Sequence, residues 1–215
     1  MTALARNVFV MMAALLTAGC ASVPETRFYT LSVRSEPSEI KVLPRDSSIP
    51  IFIDILPVTV PERLARPQLV VRTKDSGPGA QLFILEQDHW SSPFNYELRD
   101  AFASGIANRT GAGNDARATR TPDQVRYKIA IKLSQFDAIV GDSVKARFSW
   151  TITRPADARS AACYAAITEP VTGGVEGVVE GVQRAVARVV EDVSKNLIEL
   201  DTGHVPTCTV EKNAL

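Results

Sequence analysis

The sequence predicts one α/β domain, a mixed but largely antiparallel sheet with two main helices packed on it. Three observations carry this. Val125 to Phe136 alternates apolar and polar residues with a period of two, as a half-buried strand does. Gly173 to Leu200 instead repeats valine and leucine at i, i+3, i+4 and i+7. That spacing puts them on one helical stripe, which needs a sheet to bury it. The 215 residues, 45% hydrophobic and 22% charged, suffice for one sizeable core and are too polar for a membrane channel.

The elements follow in order. Residues 1–19 hold Arg6, an uncharged apolar run from Val8 to Ala18 and Gly19, directly before Cys20. The run is too short for the ~20 residues that span a bilayer and fits a signal-peptide core. Ala18, Gly19 and Cys20 fit a lipobox, although Thr17 stands where leucine is usual; the other reading is a plain secretory cleavage beside an incidental cysteine. Cleavage there leaves Cys20 to carry acyl chains, and residues 20–25 are the lipidated tether of a domain spanning 26–215. Ala21 in place of an aspartate favours the outer membrane of a Gram-negative cell, with the domain on its periplasmic face. Thr26 to Val33 reads as a strand, Ser35 to Ser48 as a surface loop, and Ile49 to Val58 as a largely buried strand.

Pro61 opens a short helical turn through Leu64 that must end before Pro67, because the residue preceding a proline avoids the α region. This segment reads as a rigid connector or as a recognition surface. Gln68 to Thr73 and Gln81 to Gln87 form a hairpin about a turn at Asp75 to Gly79. Ser92 and Pro93 read as the N-cap and first residue of a helix on which Phe94, Leu98, Phe102 and Ile106 recur every four residues. Arg109 to Asp123 is a loop with a short edge strand near 116–121. Val144 to Thr153 and Ala161 to Thr168 complete a meander. On the last helix Gly173, Gly177, Gly181 and Ala185 form a ridge placed on the far side from the valines. It reads either as a weakened helix start or as a groove for a partner chain.

Chemistry is conspicuous by what the motifs lack. Twenty-four Lys plus Arg balance twenty-four Asp plus Glu, which argues against nucleic acid as a partner. Three cysteines and two histidines show no zinc spacing, so no metal is expected. No phosphate loop, nucleophile elbow or His-Glu-x-x-His occurs, and no catalytic residue and no cofactor is expected. Asp88 and His89 are adjacent on a strand and point to opposite faces. Trp90 and Trp150 read as packing residues or, where exposed, as contact platforms. In an oxidising compartment Cys163 and Cys208 can pair, pinning the C-terminal segment onto the sheet, or remain two separate thiols.

The lipobox, Phe28-Tyr29-Thr30-Leu31, the run from Val58 to Arg72, and His89-Trp90 ahead of Pro93 occur in one order. Together they resemble the ABC-type transport auxiliary lipoprotein family, which includes the lipoprotein of the paraquat-inducible intermembrane transport system. Pro61-Glu62-Arg63-Leu64-Ala65-Arg66-Pro67-Gln68 is the most specific part, with departures from the family pattern at Arg63, Ala65, His89, Ser92 and Phe94. The resemblance implies an outer-membrane-anchored auxiliary component of an intermembrane lipid transport system. Its partners would be a periplasmic MCE-domain protein and, indirectly, an inner-membrane permease and ATPase. Arg63, Arg66, Pro67 and Trp90 are the candidate partner-binding residues. A second copy of the chain is a further candidate partner. The other reading is a carrier module that holds phospholipid itself, which requires an apolar cavity between sheet and helices.

Overall fold

The alternating segment forms the longest strand of a computed structural model that describes residues 24–31, 42–44, 49–74, 81–114, 124–208 and 211–213. The strands are β1 (Arg27–Tyr29), β2 (Ile51–Ile55), β3 (Gln68–Thr73), β4 (Phe83–Trp90), β5 (Val125–Val140), β6 (Ser143–Arg154), β7 (Arg159–Pro170) and β8 (Glu211–Asn213). The helices are α1 (Phe94–Thr110) and α2 (Val175–Asp201). Cys20, the Asp75 to Gly79 turn, the strand expected near 116–121 and most of the 35–48 loop lie outside the described residues.

Tyr127, Ile129, Ile131 and Leu133 are all buried, while Lys128, Ala130 and Lys132 between them are exposed. This is the pattern of a sheet with one face packed and one wet. β5, β6 and β7 are antiparallel in long register, with Ile131 opposite Trp150 and Trp150 opposite Cys163. The sheet runs β1-β4-β3-β5-β6-β7-β8, with β2 also beside β5. Parallel pairings make it mixed: β1 lies parallel to β4, β2 and the end of β3 parallel to β5, and β8 parallel to β7. β2 shows the expected alternation, with Ile51, Ile53 and Ile55 buried. β4 continues to Trp90, three residues beyond the expected Gln87, because its last residues pair with β1.

Both helices cover the buried face. Phe94, Leu98, Phe102 and Ile106 of α1 are at most 2% exposed, and Phe102 meets Phe148 of β6 edge to face. A Cβ on Gly105 would stand 2.8 Å from Val190 of α2, so the two helices meet closely there. The helix begins one residue later than expected. Pro93 takes the cap position without a side-chain bond, and Ser92 instead donates to Glu97.

The glycine ridge of α2 is a correction. Gly177, Gly181 and Ala185 are buried with the valines, against the chain's own backbone and sheet. A Cβ on Gly181 would meet Val171 and Val144 at 3.0 and 3.1 Å, and one on Gly177 would lie 1.9 Å from the Thr172 carbonyl oxygen. α2 touches both the sheet and α1, so more than one stripe is covered, and small residues are needed where the backbone comes closest. The ridge therefore forms no groove for another chain.

Past α2 the chain returns along β7. Asn196 accepts from the Trp150 indole at 3.0 Å and donates to the Thr207 carbonyl at 2.9 Å. Glu199 accepts from the Thr207 amide and hydroxyl. Cys163 and Cys208 are bonded, and β8 follows on the edge of β7.

Candidate partner-binding surface

A 3₁₀ turn at Glu62–Leu64 follows Pro61, whose fixed backbone suits the first position, and Leu64 is only 4% exposed. Leu64 acts as a plug in the core, and the segment is pinned from both ends. The Trp90 amide donates to the Pro67 carbonyl at 2.7 Å and the Phe94 amide to the Arg66 carbonyl at 3.2 Å. The second of these uses one of the amides that a helix start leaves without an internal partner. Residues 61–67 are thereby fixed across the junction of β4 and α1.

Of the candidate residues, Arg63 is exposed and Arg66 and Pro67 are half-buried. Arg66 keeps its Nε buried with no hydrogen-bond partner among the described residues. The turn thus presents Glu62, Arg63 and Ala65 to solvent, with an unspent guanidinium donor beside them. Trp90 is different. It is 4% exposed and stacked on Phe94 at 5.2 Å, because β4 runs on and turns this side chain into the core. Its ring backs the surface and does not form it. Trp150 is likewise buried.

A residue that sequence reasoning missed anchors this region. Glu97, 7% exposed in the first turn of α1, accepts from Ser91 Oγ at 2.6 Å, Ser92 Oγ at 3.0 Å, the Leu31 amide at 3.0 Å and Thr30 Oγ1 at 3.2 Å. Burial works to raise this carboxyl, but the bonds from Ser91, Leu31, Ser92 and Thr30 outweigh it and hold it below the ordinary carboxylate value. The node ties the N-terminal segment to the end of β4 and the start of α1. β1 is held further by Arg27, 2.7 Å from Asp88, and by the Tyr29 hydroxyl donating to Asp88 at 3.1 Å. Asp88 and His89 do face opposite ways: Asp88 takes these partners, and His89 packs edge-on against exposed Phe28.

The cavity behind this surface, bounded by Leu64, Leu69, Trp90, Phe94, Phe136 and Val178, has a volume of about 10 Å³. That is at most the space of one water, far below the several hundred Å³ a lipid tail occupies. Among the described residues no group of three His, Cys, Asp or Glu is arranged to hold a metal, and no helix is long and apolar enough to cross a membrane.

Residues 29–194 match the model of a family described as the ABC-type transport auxiliary lipoprotein component. No curated protein matches the chain. Among solved structures, the chain is similar to a protein from Xanthomonas campestris at 17% identity and a TM-score of 0.60, covering 82% of this chain and 98% of that one. It is also similar to an uncharacterized protein at 15% identity and a TM-score of 0.59, covering 81% and 99%. At these identities the likeness establishes the fold.

Proposed function

The chain belongs to the ABC-type transport auxiliary lipoprotein family, and from that premise we propose that it is the docking component of an intermembrane lipid transport system. It is held by acyl chains on Cys20 at the periplasmic face of the outer membrane. It receives a periplasmic MCE-domain protein of the same system on the surface at 61–67, and through that protein serves the inner-membrane permease and ATPase. The protein supplies position and no chemistry.

The observation that carries docking over carriage is the filled interior. Among the described residues, strand side chains, α1 and α2 pack on one another, and the cavity lined by Leu64, Trp90, Phe94 and Val178 is about 10 Å³, too small for a phospholipid tail. The same packing makes the 61–67 turn rigid, since its plug residue and both of its backbone anchors belong to that core. A preformed surface loses little conformational freedom on binding, and exposed arginine is well suited to the centre of an interface.

The test is co-purification of the lipidated protein from detergent-solubilised membranes. Arg63→Ala combined with Arg66→Ala is expected to reduce recovery of the MCE-domain protein, identified by mass spectrometry, at least about tenfold. The variant should keep the wild-type melting temperature within a few degrees. Undiminished recovery from a folded double variant would remove the turn from the interface. Bound phospholipid recovered with no protein partner would make the chain a carrier.

A further inference from the structure

Among the described residues, no element covers the face of the sheet opposite the helices. On it Lys128 and Lys132 of β5 and Lys145 and Arg147 of β6 are all exposed. None of the four forms an ion pair among the described residues. Register brings them together. Lys132 lies opposite Ser149, two residues from Arg147 on the same face, and Ser149 lies opposite Tyr164 of β7. Asp54 lies opposite Lys128 and Asp137 opposite Lys145 in the register, and Asp137 is already engaged by Arg72 at 2.6 Å. In a chain of zero net charge this face therefore carries an excess of cations without ion-pair partners among the described residues. Like charges on neighbouring strands repel, so the arrangement is a cost to the isolated domain that an anionic partner removes.

We propose that this face lies on the anionic phospholipid surface of the membrane that carries the anchor. Charge complementarity sets the sign of the partner, and shape narrows it. The positions between the cations are mostly alanine, serine and threonine, which leave a low surface. Its largest projection is Tyr164, 47% exposed, a residue type that settles at the headgroup level. The choice of a bilayer over an acidic protein rests on the lipidated Cys20 of the proposed function. Seven residues from Cys20 to Arg27 reach at most ~25 Å. β6 is four strands along the sheet from β1, roughly 19 Å at the spacing of paired strands. A bilayer holding the anchor is thus always within reach, at high effective concentration. With the sheet face down, both helices point away from the bilayer.

The experiment uses the chain from Ala21 to Leu215, which contains every described element and no lipid, so that the result does not depend on the anchor. Co-sedimentation is measured with vesicles of phosphatidylcholine alone and of phosphatidylcholine with about one-third phosphatidylglycerol. The wild type is expected to bind only the anionic vesicles and to be released by about 0.5 M salt, where screening leaves a Debye length of only a few ångströms. Lys128→Gln, Lys132→Gln, Lys145→Gln and Arg147→Gln together should weaken binding roughly tenfold or more. The milder pair Lys145→Gln and Arg147→Gln should fall between, and Lys195→Gln on α2 should bind as wild type. Equal or absent binding to the two vesicles, or wild-type binding by a folded quadruple variant, overturns the proposal. So does capture on immobilised polyglutamate with no binding to vesicles, which would assign the face to an acidic protein. Recovery of the MCE-domain protein is read separately, because the quadruple variant leaves the 61–67 turn intact.

Discussion

Glu97→Ala is expected to lower the unfolding free energy by about 3–5 kcal/mol, measured by urea denaturation. The carboxylate accepts four hydrogen bonds, and two of the donors lie 66 and 67 residues away in the chain. When it is removed, the serine and threonine hydroxyls can rotate toward water. The buried Leu31 amide cannot, and a buried donor left unmade costs about 1–3 kcal/mol beyond the charge-assisted bonds themselves. A loss below about 1 kcal/mol would show that the node is not structural. The acid limb gives a second signature. The folded-state pKa lies below the unfolded value near 4.5. Its contribution is therefore full above that value and lost as pH falls through the folded pKa. Glu97→Gln should flatten this part of the stability profile, and a variant that keeps the wild-type acid limb would place the titration elsewhere.

Gly177→Ala is expected to be the most damaging change on α2, at about 3 kcal/mol. Its Cβ would stand 1.9 Å from the Thr172 oxygen, a backbone atom that no rotamer change can move. The start of α2 would have to shift, and with it the contacts of Gly181 on Val144 and Val171. Gly174→Ala is the control, because nothing lies within 4 Å of a Cβ there. In a domain of this size the difference amounts to roughly 6–12 °C in melting temperature. Equal melting points for the two variants would mean that the approach of α2 to the loop before it is not tight.

Those two residues mark what the sequence does and does not disclose. The β5 alternation and the α1 repeat of Phe94, Leu98, Phe102 and Ile106 are local signals with a single period, and the buried residues follow them. The Pro61 turn was legible for the same reason, since proline sets its own backbone angle and restricts the residue before it. Gly177 was visible but misplaced. A helix that packs on a sheet and on a second helix buries a wider arc than one stripe, and the sequence does not say how many neighbours a helix has. Glu97 lies near a recognisable helix start, yet its role depends on Thr30 and Leu31, which only the tertiary fold brings beside it. Trp90 reads from the sequence as a packing residue or a contact platform, and pairing with β1, which extends β4 through it, leaves its ring in the core.

The central claim is that the 61–67 turn faces the partner. The most direct measurement places a photo-crosslinking amino acid at Ala65, exposed between Arg63 and Arg66, in the native lipidated protein in cells, with a second at Glu191 on α2. The account predicts an adduct between position 65 and the MCE-domain protein and none from position 191. An adduct from 191 with none from 65 would contradict it and move the interface onto the helical face.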